Sequence, residues 1–315
     1  MARICKPWLR VIGVAKQGEL EVWRGGVNAW DCDQMGHLNV RHYVAASTAG
    51  LAGFAAALGR PRAFAPRAES TLVVRRHHIR FFRESRVGDS LAMSCGVLAM
   101  EPQEAVLLQT LRHALTGEVS AVFQTRVAHA ARDGQVFAWP SAARERAESL
   151  RTEVPEGRGP RSLDPDRGRR NASLALADEL GLARHGLGLV LPQHCDAFGR
   201  AQPSDLMGRF SDAGAVAAAL VREATGRHLG MAVVEYRLDY LAWPAAGDRC
   251  ELRTAWTEVE PRRVRFEHWL LDPDTGRPWT VAEVVLVVFD LEARKAVPLP
   301  DDALAKLRAN LVKVD

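Results

Sequence analysis

The sequence has little cysteine and no arrangement of it that builds a site. Cys5, Cys32, Cys95, Cys195 and Cys250 form an odd set without a CxxC pair, so neither a disulfide framework nor a zinc site is indicated, and a reducing compartment fits. Long apolar runs are missing too. The N-terminal stretch MARICKPWLRVIGVAKQGELEVW carries basic residues but no core for a signal peptide, and no later stretch is long enough to span a bilayer, so a cytoplasmic protein without membrane contact is expected. An excess of one charge is also absent. The 42 basic and 38 acidic residues leave +4, too little to point to nucleic acid. There is no glycine-rich phosphate loop, no dinucleotide fingerprint and no GxSxG elbow, which leaves nucleotide hydrolysis, hydride transfer and serine hydrolysis on an α/β-hydrolase fold without support. Neither a cofactor nor a metal is expected.

What the chain does contain is a repeat. Its 315 residues, 47% hydrophobic and 25% charged, fit an ordinary globular protein of two domains. DCDQMGHLN at 31–39 returns as HCDAFGRAQ at 194–202, 163 residues later, and each copy is followed by a small-residue segment, 40–59 and 203–226, that lacks internal proline and ends in glycine. Both segments predict a buried helix. HHIRFFRESRVGD at 77–89 matches YRLDYLAWPAAGD at 236–248, each an alternating strand closed by a Gly-Asp turn. Gly117 and Gly276 mark matching hairpins, in which Val119, Ala121, Phe123 and Val127 alternate with polar residues. WPSAARERAESLR at 139–151 and LPDDALAKLRANL at 299–311 place proline at or near the start of a closing helix.

Four matches in the same order argue for duplication. Domain boundaries are expected at 1–152 and 172–315, joined through 153–171, whose proline, glycine and charge have the composition of a solvated linker. Each half reads as strand, loop, long apolar helix and several antiparallel strands, an α+β pattern in which a curled sheet wraps one central helix. The two halves should pair their sheets within one chain and set their central helices face to face.

CDQMGHLNVRHYV at 32–44, placed between a strand and an apolar helix, resembles the signature of hydroxybenzoyl-CoA thioesterase-type hotdog proteins, and the duplicated chain resembles a tandem hotdog acyl-CoA thioesterase. The resemblance covers both halves apart from the linker and termini. It implies two hotdog domains, hydrolysis of an acyl-CoA or acyl-carrier-protein thioester, and a loop-to-helix junction that holds the thioester carbonyl. It also admits a homo-oligomer, because hotdog sheets leave surfaces for further pairing. In the second half Asp196 and Gly199 survive, but Arg200 stands for His37, Gln202 for Asn39 and Leu206 for Tyr43.

Thioester hydrolysis needs a carboxylate, as nucleophile or general base, and donors for the developing oxyanion. Asp33 is the candidate carboxylate, with His37 and Asn39 beside it. Gly36 permits close backbone approach, and the unpaired N–H groups from His37 to Val40 lie at the positive end of the coming helix. Tyr43, Asp196, Gly199 and Arg200 complete the candidate substrate contacts. Each has a plainer reading: Asp33 as an Asx-turn or N-cap residue, His37 as a hydrogen-bonded loop anchor, Asn39 as a helix cap and Tyr43 as packing. In the run RRHHIRFFRESR at 75–86, Arg75, Arg76, Arg80, Arg83 and Arg86 either meet CoA phosphates or form the solvated face of a strand. Two other functions stay open at this level, a non-catalytic acyl-thioester binder and a hotdog hydratase or dehydratase. Release of free thiol from a saturated acyl-CoA separates hydrolysis from both.

Overall fold

The structure, a computed structural model, describes residues 18–168, 171–225 and 229–314, and the side chains among them except 215–218, 220 and 224. Cys5, the stretch 1–17 searched for a leader, and the helix-closing Gly226 lie outside the described residues.

The first half runs β1 (Leu20–Gly26), α1 (Val40–Ala57), β2 (Ser70–Phe81), β3 (Ser90–Met100), β4 (Glu104–His113), β5 (Val119–Ala131) and α2 (Ser141–Glu148). After α3 (Leu174–Glu179) the second half repeats the order with β6 (Ala183–Leu189), α4 (Pro203–Thr225), β7 (Leu229–Tyr240), β8 (Arg249–Val259), β9 (Arg263–Leu271), β10 (Pro278–Asp290), the short β11 (Lys295–Ala296) and α5 (Asp301–Arg308). These are the two hotdog halves expected from the repeat. The strands form one antiparallel sheet ordered β1-β3-β4-β5-β2-β7-β10-β9-β8-β6, with β11 on β10. Strand order in the second half is the mirror of the first, and the two meet where β2 pairs with β7, from Arg76 opposite Asp239 to Arg80 opposite Glu235.

The local chemistry follows the sequence closely. Gly117 and Gly276, each at φ 74°, turn the β4–β5 and β9–β10 hairpins. Gly88 and Gly247 sit at φ 91° and 99°, and the next residue, Asp89 or Asp248, accepts the N–H of Arg86 or Ala245 at 2.7 Å. Pro140 and Pro300 occupy the N-caps of α2 and α5. Small residues let α1 lie close on the sheet: a Cβ at Gly53 would stand 2.6 Å from the carbonyl oxygen of Val22. On the same helix Val44, Leu51, Phe54 and Ala55 are fully buried, and at roughly 25 cal/mol per Å2 of apolar surface such burial is what holds helix to sheet. Truncating a residue such as Leu51 to alanine costs about 2–5 kcal/mol.

A polar chain crosses this core. Ser47 Oγ lies 3.2 Å from His77 Nε2 and donates to Gln109 Oε1 at 2.6 Å, Thr125 donates to the same oxygen at 2.7 Å, and His77 Nδ1 reaches Tyr240 Oη of β7 at 2.9 Å. Burial drives the His77 imidazole down to about 3, so the ring is neutral at ordinary pH.

The segment between the halves is not the solvated linker its composition suggested. Residues 157–168 lie along the β2–β7 seam, where buried charges need partners. Glu235, hydrogen-bonded to His78 at 2.7 Å, also accepts the backbone N–H groups of Arg161 at 2.9 Å and Ser162 at 2.8 Å. Burial raises the pKa of Glu235, but these bonds outweigh it and hold the carboxyl below its ordinary value. Arg237 donates to Asp164 O at 3.1 Å, Arg76 to Pro165 O, and Leu163 is buried. Proline, glycine and charge serve here as a strap that satisfies the seam.

Candidate active site

Two loops open the two central helices and fold alike. In the first, 32–39, Gly36 takes φ 74°, Asp33 N donates to His37 O at 2.8 Å and Gly36 N to Asp33 O at 3.0 Å. Asp33 Oδ1 accepts the N–H groups of Met35 at 2.8 Å and His37 at 3.1 Å. In the second, 195–202, Gly199 takes φ 82°, and Asp196 Oδ1 accepts Phe198 N and Arg200 N at 2.8 and 3.1 Å. Asp33 thus makes the Asx turn of its plainer reading, and Asp196 makes the same turn, each through one carboxylate oxygen.

The other oxygen separates them. Asp196 Oδ2 is taken by Arg200, Nε at 3.3 Å and Nη2 at 3.1 Å. Asp33 is exposed, and among the described residues its Oδ2 accepts no hydrogen bond. The His37 ring, which stands where Arg200 does, turns to the β2–β3 connection: Nε2 lies 3.1 Å from Glu84 Oε2 and 3.1 Å from Arg86 Nη2. The described contacts of this ring do not include Asp33.

The backbone donors also differ. Of the four N–H groups expected to be free from His37 to Val40, three are used: His37 N by Asp33, Leu38 N by Ser85 O at 2.8 Å, and Asn39 N by Asp31 O at 2.9 Å. Only Val40 N has no acceptor among the described residues, and it sits at the positive end of an 18-residue helix. The matching position in the second half is Pro203, which has no N–H. Sequence reading missed this contrast, although a proline at the first helical position was visible.

Asn39 is the N-cap of α1, its Oδ1 accepting Arg41 N at 3.0 Å, while its Nδ2 donates to Ser211 Oγ of α4 at 3.1 Å. The Arg41 guanidinium lies against Gly208. The central helices thus face one another at the first loop, as the duplication predicts. Asp212 of α4, which the sequence did not single out, has a raised pKa, burial being the larger influence and Arg41 opposing it. Tyr43 is buried, takes Ser85 N on its hydroxyl at 3.2 Å and stacks edge-on with Phe81 at 5.2 Å, which is packing. One bridge has exchanged its partners: Asp31 Oδ1 faces His42 Nδ1 at 3.6 Å, and His194 Nδ1 faces Asp205 Oδ1 at 3.5 Å.

A cavity of about 300 Å3 lies at the other loop, between Asp196, Phe198 and Arg200 on one side and Ala49, Ala52 and Leu72 of α1 and β2 on the other. Of the candidate residues, Asp196 and Arg200 line it; Asp33, Gly36, His37, Asn39, Val40, Tyr43 and Gly199 do not. The arginine run is largely consumed in structure. Arg76 pairs with Asp239, Arg83 with Glu118, Arg86 with Glu84, Arg75 with Glu104, and Arg80 donates to Gly159 O at 2.7 Å. Among the described residues no group of three or more His, Cys, Asp or Glu side chains is placed to hold a metal, and no helix is long and apolar enough to cross a membrane.

Comparison with known proteins follows the duplication. The family model of the thioesterase-like superfamily matches residues 27–153 and again 190–307. A search of curated protein sequences found no match. Among solved structures, the chain is similar to a protein assigned as an oleoyl thioesterase from Lactobacillus plantarum, with a TM-score of 0.65 and 13% identity over 91% of this chain and 99% of that one. It is also similar to an acyl-ACP thioesterase from Bacteroides thetaiotaomicron, with a TM-score of 0.62 and 11% identity over 85% and 98%. The 12:0-ACP thioesterase from Umbellularia californica gives 0.57 and 11% over 85% and 94%. Coverage of both chains means that the whole tandem arrangement is shared; at these identities the likeness is one of fold.

Proposed function

This chain belongs to the thioesterase-like superfamily, and we propose that its thioester hydrolysis takes place at the first loop, on an acyl group carried by CoA or by an acyl carrier protein in the cytoplasm. Acyl-carrier-protein substrates are named for two of the similar structures, and either carrier presents the same thioester to the loop. The observation that carries the assignment is the coincidence, at one junction, of a carboxylate oxygen on Asp33 and an amide on Val40 that have no partner among the described residues. A carbonyl seated between them has a nucleophile or base on one side and an oxyanion donor on the other.

As nucleophile, Asp33 Oδ2 attacks the carbonyl carbon, and the negative charge passes to the carbonyl oxygen, which accepts from Val40 N–H. Collapse expels the thiolate and leaves an acyl–aspartyl anhydride, which water cleaves to the free acid and the carboxylate. As general base, Asp33 takes a proton from the water that attacks. In both forms the two N–H groups on Oδ1 fix the carboxylate, Gly36 supplies the turn, and His37 and Asn39 hold the loop against Glu84 and α4. The second loop holds ligand without cleaving it, since Arg200 ties up its carboxylate and Pro203 offers no donor.

Thiol release from a panel of acyl-CoA and acyl-carrier-protein substrates tests the function. Turnover by the wild type that vanishes in Asp33→Asn supports it. Tight acyl-CoA binding with no thiol release above background would show a binding protein instead.

A further inference from the structure

The cavity at the second loop has walls of alanine, leucine, valine and phenylalanine, yet two donors in those walls have no partner. Arg200 Nη1 and Trp243 Nε1 are both buried and unbonded among the described residues, and both residues line the cavity. A buried donor left unpaired costs about 1–3 kcal/mol, more when charged, so the pair marks a place for an acceptor. Both are held rigidly. Trp243 stacks on Tyr240 with ring centroids 4.9 Å apart, and the Arg200 guanidinium lies 5.1 Å from the Phe198 ring while Asp196 clamps its Nε and Nη2. Fixed donors lose little entropy on binding.

We infer that this cavity is a non-catalytic site for a free medium-chain carboxylic acid, whose carboxylate takes Arg200 Nη1 and Trp243 Nε1 while its tail lies along Ala49, Ala52 and Leu72. The inference rests on the reading that the chemistry belongs to the first loop, and it names the ligand that the second loop holds. An acid is favoured over a thioester because Pro203 offers no oxyanion donor and Asp196 is neutralised, whereas a cationic donor beside an apolar wall suits a charged head on a hydrocarbon tail. At about 30 Å3 per heavy atom, the share one water has in the liquid, about 300 Å3 takes on the order of ten heavy atoms, the size of octanoate. Such an acid is the product class of the proposed hydrolysis.

Calorimetric titration of the full chain with sodium octanoate tests this. One site per chain is expected. Arg200→Gln should weaken octanoate about ten- to a hundredfold but leave 1-octanol, which has the tail without the charge, unaffected. Ala52→Phe, at an exposed position of α1, should fill the cavity and abolish octanoate binding with an unchanged melting temperature. Octanoate should bind equally well to protein saturated with octyl-CoA, a thioether that cannot be hydrolysed. Failure of octanoate to bind, or mutual exclusion of octanoate and octyl-CoA, overturns the proposal, the second because it makes the cavity the reacting acyl pocket. Thiol release by Asp33→Asn is scored separately, so a failure of the first-loop assignment is distinguishable from a failure here.

Discussion

The two loops share their turn hydrogen bonds to within 0.1 Å, and three of their differences change the hydrogen bonding at the helix start: His37 against Arg200, Asn39 against Gln202, and Val40 against Pro203. The first two change what the side chains grip. Asn39 caps α1 and ties it to Ser211, whereas Gln202 Nε2 turns back to Cys195 O at 3.0 Å. The third removes an amide altogether. Duplication leaves a scaffold in which the turn depends on backbone and one carboxylate oxygen, so the other oxygen and the first helical N–H differ between the copies without changing the turn. The exchanged Asp31–His42 and His194–Asp205 bridges make the same point, since the contact is kept and only the side that carries the charge is not.

The most severe way to break the contrast is to convert the first junction into the second. Val40→Pro removes the junction amide that has no acceptor among the described residues, and the backbone admits it: Asn39 has φ −63° and ψ 141°, the conformation favoured before proline, and the first helical position tolerates the ring. We expect kcat to fall about a hundred- to a thousandfold, the scale of one lost oxyanion donor, with the melting temperature unchanged. Wild-type turnover in this variant would remove Val40 from the mechanism.

Acid sharpens the comparison between the cores. Each half buries a histidine that burial drives to about 3 from an ordinary 6.5, His77 on β2 and His268 on β9. The depressed folded value means that the unfolded chain binds the proton first, so the stabilisation is whole above pH 6.5 and lost as pH falls from there towards 3. Between pH 7 and pH 5 each histidine should account for about 2 kcal/mol. Chemical denaturation at the two pH values should show that His77→Gln and His268→Gln each flatten the loss by a similar amount; an unchanged slope in both would mean that the rings are not held neutral. The smallest effect concerns the caps. Asn39→Ala should cost about 1 kcal/mol, Gln202→Ala, which loses a loop hydrogen bond, about half of that, both read from urea midpoints.

Much of the fold was legible because local rules decide it. The helices in the alanine-rich segments 40–59 and 203–226, the second described as far as Thr225, the hairpin glycines Gly117 and Gly276, and the prolines before α2 and α5 read correctly, since helix, turn and cap depend on nearby residues. The seam and the strap did not. That Glu235 would accept the N–H groups of Arg161 and Ser162 depends on bringing 157–168 across two strands from different halves, and composition alone made that stretch look solvated. At the candidate site, the Asx turn at Asp33 and the helix cap at Asn39 were readable from the motif. The orientation of His37 was not, because Glu84 and Arg86 come from another connection. Which junction amide stays free was equally hidden, since Ser85 O and Asp31 O consume its neighbours, although Pro203 stood in plain view.

If hydrolysis depends on the first loop and not on the second, the two loop aspartates must differ in what their loss does to turnover. Steady-state turnover of purified Asp33→Asn and Asp196→Asn, on one acyl thioester, measures it directly, because asparagine keeps the Oδ1 acceptor of each turn and removes only the carboxylate. We expect a loss of about a hundred- to ten-thousandfold in kcat for Asp33→Asn and a kcat of the wild-type order for Asp196→Asn. Abolished turnover in Asp196→Asn with near-wild-type turnover in Asp33→Asn would contradict the first-loop assignment.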